Sequence, residues 1–277
     1  MTVFDEFMNF RQQREASLRT PHGWLSVVGL YWLENERTRI GSTAECDIHI
    51  ESSTQFCITF HLSNETRVFA ETSCASVTVN NHPFSEGELY SDESGSPSII
   101  RIDSISIELL RRSGKFAVRV RDSRQKKITQ FPPLQWYPET ESFRLPATFV
   151  AHPHDKTMPI SLALGGTYEL SNPGYLRFNF NGNEYQLEVI KQGNANQLFV
   201  IFKDKTNGDY SYGGGRFLFI PFDLWDEKVS ALTIDFNRSI SPPCAFTEAA
   251  TCPLPPANNS LPFAVEAGEL KPYNSFG

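Results

Sequence analysis

The chain has 277 residues, 40% hydrophobic and 21% charged, with 22 phenylalanines, a balance that supports one large or two small buried cores and excludes general disorder. Its net charge is −7 and its longest basic run is Arg124, Lys126 and Lys127. A nucleic-acid partner, which requires cations to displace phosphate counterions, is therefore not expected. No stretch approaches the roughly 20 apolar residues of a membrane-spanning helix, and the acidic opening MTVFDEF lacks a signal-peptide layout, so a cytoplasmic protein without a membrane partner is expected.

Residues 3 to about 19 have the spacing of a helix, with Phe4, Phe7, Met8 and Leu18 on one stripe, Thr2 placed to cap it and Pro21 to end it. His22 to Leu33 is rich in aromatics and reads as core packing or as one wall of a pocket. From Thr38 to Asp122 short runs such as CDIHI, QFCITFHL and KFAVRVRD predict strands of a small sandwich, with Phe116, Val118 and Val120 alternating against Lys115, Arg119 and Arg121. Residues 123–142 carry Pro132, Pro133 and Pro138 and read as a connector, because proline removes ladder donors. In the second half, Leu176, Phe178 and Phe180 alternate up to Asn181-Gly182, and Tyr185, Leu187 and Val189 alternate on return, which predicts a type I′ hairpin. NQLFVIF reads as a strand buried on both faces, and RFLFIPF and VSALTIDF add two more. After Asn237 proline is dense, yet Phe246, Leu254, Leu261, Phe263 and Val265 are too apolar for a solvated tail, so the tail is expected to wrap the sheet, with a short helical turn at 247–250.

The expected fold is therefore mainly β: an N-terminal helix and aromatic segment (1–37), a small β-sandwich (38–122), a connector (123–142) and a second antiparallel β module with a wrapped, proline-rich tail (143–277). Five cysteines, an odd number, do not make a disulfide framework, and Cys46, Cys57 and Cys74 read as small core hydrophobes.

Several runs identify a family. Lys203-Asp204, Thr206-Asn207-Gly208, Tyr212, Gly215-Arg216-Phe217-Leu218, Asp235-Phe236-Asn237, Pro242 to Thr247, Ala250 to Pro256 and Ala267-Gly268-Glu269 resemble the family known as domain of unknown function 1684, as does Gly23 to Leu30 near the start. That resemblance implies no activity. Ile40-Gly41-Ser42, Cys46-Asp47-Ile48 and Val79-Asn80-Asn81 give residues 38–120 a second resemblance, to a forkhead-associated β-sandwich. Ser42 stands where that family has an arginine, so phosphopeptide reading is not expected.

Three clusters can carry chemistry. The loop Thr206 to Arg216 has glycines that allow close backbone approach, and Arg216 suits a carboxylate or phosphate. With Thr206, Tyr212, Asp235 and Asn237 it makes the expected binding site for a small anionic or polar molecule, the alternative being Arg216 paired internally with Asp235. Cys244 is the candidate nucleophile of a hydrolase or transferase, with Asp235 or Glu269 as acid–base group; the plainer reading is two thiols, Cys244 and Cys252, buried in the tail. His152-Pro153-His154-Asp155 reads as a surface loop, although two histidines two apart in an extended strand can share a metal. No cofactor and no metal site are expected. A docking role for residues 38–120 is the third alternative, and oligomeric state is not legible.

Overall fold

The computed structural model describes residues 3–63, 66–191, 196–222 and 231–273. The expected Thr2 cap, the side chains of Phe4 and Asp155, and the first two residues of VSALTIDF lie outside the described residues. The chain divides into two compact units, residues 16–131 and residues 1–15 with 132–277. Helix α1 (Val3–Leu18) straddles that division, whose second crossing falls inside the expected connector.

The unit of residues 16–131 is a sandwich of two sheets. Its strands are β1 (Val27–Trp32), β2 (Arg37–Gly41), β3 (Ile48–His49), β4 (Cys57–Ser63), β5 (Arg67–Glu71), β6 (Thr78–Val79), β7 (His82–Pro83), β8 (Glu86–Leu89), β9 (Ile99–Ile102), β10 (Ile105–Arg112) and β11 (Lys115–Asp122). One sheet runs β1-β11-β10-β9-β6-β7 and the other β3-β2-β4-β5-β8. Ile40, Ile58 and Val68 of the second sheet share a core with Ile100, Ile107 and Val118 of the first, as the alternation dictates. The aromatic segment before residue 38 belongs to this sandwich, because β1 pairs antiparallel with β11. Of the expected polar face of β11, Lys115 is exposed and Arg121 partly so, but Arg119 is covered. Arg119 is buried, its guanidinium 4.9 Å over the Trp24 ring, and burial followed by repulsion from Arg121 lowers its pKa to about 10.

The second unit holds β12 (Arg144–Ser161), β13 (Thr167–Phe180), β14 (Asn183–Glu188), β15 (Ile190–Lys191), β16 (Gln197–Phe202), β17 (Arg216–Pro221) and β18 (Ala231–Asp235). They form a sheet β14-β13-β12-β18 and a sheet β15-β16-β17, with Leu176, Phe178, Leu187, Val200, Leu218 and Ile234 in one core. Asn181 and Gly182 both take positive φ, 49° and 78°, as the type I′ hairpin demands. Leu198 to Phe202 are all buried, as a run without alternation implies.

Two expectations change here. His152 to Asp155 lie within β12, not in a surface loop, although the ladder to β13 is irregular between Ala151 and Lys156. Among the described residues β12 pairs beyond Thr148 with β13 alone, and Pro153 falls where that ladder is interrupted, so it removes no ladder donor there. The tail forms one-turn 3₁₀ helices at Pro243–Ala245 and Ala257–Asn259 instead of a helical turn at 247–250. It does wrap the sheet: Leu261 and Val265 enter the core, and Leu261 N–H donates to Lys203 O at 2.8 Å. Among the described residues no helix is long and apolar enough to cross a membrane.

Candidate functional site

Arg216, the first residue of β17, is fully buried. Its Nη2 donates to Asp204 Oδ2 at 2.7 Å and to Val265 O at 2.9 Å, while Nη1 donates to Ala267 O. Burial lowers its pKa, and Asp204 opposes that shift. The partner is Asp204, not Asp235. Asp204 Oδ1 in turn accepts from the Thr206 N–H (2.8 Å), Thr206 Oγ1 (2.7 Å) and the Val265 N–H (3.1 Å), so this carboxylate knots the glycine loop to the tail. Thr206 is therefore a buried structural residue here. Gly215 is required for packing: at its φ of 102° an added Cβ would sit 2.4 Å from Pro255 Cγ. The expected hollow around Arg216 is thus filled by the tail, and Arg216 and Thr206 do not face solvent.

Tyr212 Oη donates to Cys244 O at 3.1 Å, and the Cys244 N–H donates to Cys252 Sγ at 3.0 Å. Cys244 is half-buried, and hydrogen bonding to Cys252 and then to Tyr212, against burial, brings its thiol down to about 7. The other two members of the expected catalytic set lie elsewhere. Glu269 is fully buried against Arg14 Nε at 3.0 Å, with its pKa pushed up by burial. Asp235 caps the 3₁₀ turn Phe236–Arg238 by accepting from the Asn237 N–H at 3.1 Å. The structure does not join Cys244, Asp235 and Glu269 into an acid–base constellation.

Asp235 instead lines an open cavity of about 230 Å³ between the end of β18, the start of β12 and β17. Arg144 is opposite Asp235 in the β12–β18 ladder, and Arg238 lies three residues on. Both approach the same oxygen: Asp235 Oδ2 is 3.6 Å from Arg144 Nε and 3.7 Å from Arg238 Nε. Those separations exceed an N–H···O hydrogen bond, so each guanidinium keeps directed donors for another acceptor. Arg144 Nη1 also donates to Glu141 Oε1 at 3.2 Å, a contact to a largely exposed carboxylate, and this bond raises the Arg144 pKa. Thr233 adds a hydroxyl, and Phe219, Ile220 and Pro221 an apolar wall. Asn237, buried, faces away from the cavity's chemistry: its amide bonds Thr140 O at 2.9 Å and Asp235 Oδ1 at 2.8 Å, which orients the Asp235 carboxylate. Arg144 and Arg238 are missed by a reading of motifs; the strand register places Arg144 beside Asp235, and the 3₁₀ turn that follows Asp235 places Arg238 there.

Elsewhere, His152 Nε2 is 3.4 Å from Glu188 Oε2, while His154 is exposed, and among the described residues no three His, Cys, Asp or Glu side chains are grouped as metal ligands. Within residues 38–120 the exposed large hydrophobic side chain is Tyr90.

Fold and site together define a mainly β protein whose second unit opens one small, doubly cationic hollow around a carboxylate. Residues 129–270, just over half of the chain, match the family model described as protein of unknown function (DUF1684), and the chain belongs to that family. An uncharacterized protein of Haloarcula marismortui, solved by solution NMR, is 31% identical over 52% of this chain and 80% of its own, with a TM-score of 0.44. No curated protein matches the chain.

Proposed function

We propose that the protein binds a small polar metabolite bearing a carboxylate or phosphate in the hollow framed by Arg144, Asp235 and Arg238. The observation that carries this reading is the pair of guanidiniums sharing one carboxylate oxygen at 3.6 and 3.7 Å on the wall of an open cavity. A planar guanidinium recognises carboxylate or phosphate through paired donors, and Asp235 and Thr233 suit a hydroxyl or amine on the same molecule. A volume of about 230 Å³ lies below that of drug-sized sites, so the ligand is a short-chain compound. The site differs from the one expected from sequence: it keeps Asp235 and replaces Arg216 by Arg144 and Arg238. A nucleophilic role for Cys244 has less support, since among the described residues its hydrogen-bonding neighbours are the Tyr212 phenol and the Cys252 thiol, neither of them a base.

The test is a thermal-shift screen of short carboxylic, hydroxy and amino acids and phosphomonoesters. A ligand present at 100 times its Kd stabilises the fold by about 2.7 kcal/mol, a readable rise in Tm. The rise should vanish in Arg144→Gln/Arg238→Gln. No rise with any compound, or an equal rise in that variant, would contradict the assignment.

A further inference from the structure

The cysteines sort spatially into Cys46 with Cys57, Cys244 with Cys252, and Cys74 apart, although an odd count in the sequence suggests no pairing. In the first of these, Cys46 Sγ lies 3.0 Å from Cys57 Sγ, and both side chains are partly exposed rather than sealed in the core. Each is held by its own surroundings. Cys57 opens β4 opposite Gly41 of β2, and the strands are so close there that a Cβ on Gly41 would meet Phe56 O at 2.1 Å. Phe56 O also accepts from the Ser42 N–H at 2.9 Å, and Ser42 Oγ bridges back to Thr54 O at 3.0 Å. Cys46 sits at the end of a turn closed by its N–H to Thr43 O at 3.2 Å, and the next residue, Asp47, accepts the Arg39 N–H at 2.7 Å. The two sulfurs are thus delivered to each other from opposite ends of one loop by these hydrogen bonds, with Thr43 Oγ1 also 3.4 Å from Cys46 Sγ.

We infer that Cys46 and Cys57 form a reversible thiol-oxidation site, closing to a disulfide when a peroxide reaches the loop. A disulfide bond is about 2.0 Å long, so closure requires the sulfurs to move by roughly 1 Å. Burial and then the adjoining Cys46 push the Cys57 thiol up to about 11, which disfavours Cys57 as the attacking thiolate. The Cys46 thiolate attacks one oxygen of hydrogen peroxide, giving a sulfenic acid and hydroxide, which takes up the proton the thiol released. Cys57 sulfur then attacks the sulfenic sulfur, and its proton leaves with the departing hydroxide as water. Two thiols and one peroxide become one disulfide and two waters, with both electrons passing from sulfur to oxygen.

The experiment is a time course of the full chain with hydrogen peroxide, alkylated, digested without reductant and mapped by mass spectrometry. The expected product is a 46–57 cross-linked peptide, lighter by two hydrogens, forming at least about tenfold faster than any cross-link to Cys74 because the pair is preassembled and reversed by dithiothreitol. In Cys57→Ser, dimedone should trap a sulfenic acid at Cys46. Separate over-oxidation of the two thiols, cross-links to Cys74 at a comparable rate, or an unreacted pair would each overturn the inference. A circular-dichroism melt of Cys57→Ser, matching the reduced wild type, establishes that the variant is folded.

Discussion

Arg216 and Asp204 show how residue type alone misleads about accessibility. A guanidinium next to three glycines suits an anion, yet here it is completely buried and its Nη1 and Nη2 groups donate to Asp204 and to the carbonyls of Val265 and Ala267. Removing one partner strands the other in the core, a loss of about 3–5 kcal/mol. Urea denaturation of Asp204→Asn or Arg216→Met should show that loss, whereas Arg238→Gln, on the surface, should change stability by less than about 0.5 kcal/mol. That Asp204 turns back onto Thr206 and pairs with Arg216 was not read from the sequence, and the pair is completed by carbonyls of the tail, at Val265 and Ala267. At Cys244 the prediction concerns ionisation. Its thiol sits near 7 through Cys252 and Tyr212, so the rate of iodoacetamide labelling should rise through a midpoint near pH 7 and shift upward in Cys252→Ala. A midpoint at the ordinary cysteine value in both proteins would remove that account.

At the scale of elements, local pattern and turn chemistry were sufficient for α1, for the β13–β14 hairpin and for the fully buried β16. These are the segments whose periodicity or Asn-Gly turn specifies the backbone without distant help. β12 was hidden because its prolines look like loop; Pro153 is accommodated where the ladder to β13 is irregular. The tail is irregular but firmly attached, and Asn259 is its main tether. Buried, it accepts the Glu188 N–H at 2.7 Å and donates to Glu188 O and Ile201 O at 2.9 and 2.8 Å. Asn259→Ala leaves those buried groups unsatisfied and should cost about 2–3 kcal/mol, read as a lower urea midpoint. Gly182→Ala, at φ 78° with open space around it, should cost about 1 kcal/mol from backbone strain alone.

For the whole molecule, the two shifted thiols act in opposite directions. Cys244, lowered to about 7, adds stability as pH rises from 7 toward the unfolded value near 9; that contribution is full above 9 and lost as pH falls through 7. Cys57, raised to about 11, contributes fully below 9 and loses its contribution between 9 and 11. In reductant, Cys244→Ser should flatten the rise in stability between pH 7 and 9, and Cys57→Ser the decline above 9. The mainly β architecture, β12 apart, was legible from β-branched runs and alternation. The proposed binding hollow was legible in one residue, Asp235, because its other charged members meet through a ladder pair and a 3₁₀ turn and share no motif. The most direct measurement is arginine modification by phenylglyoxal, mapped by mass spectrometry with and without a compound that raises Tm. The account predicts that Arg144 and Arg238 react and are protected together by the ligand, while Arg216 stays unmodified in both samples. Modification of Arg216 in the native protein, or a ligand that leaves Arg144 and Arg238 equally reactive, would contradict it.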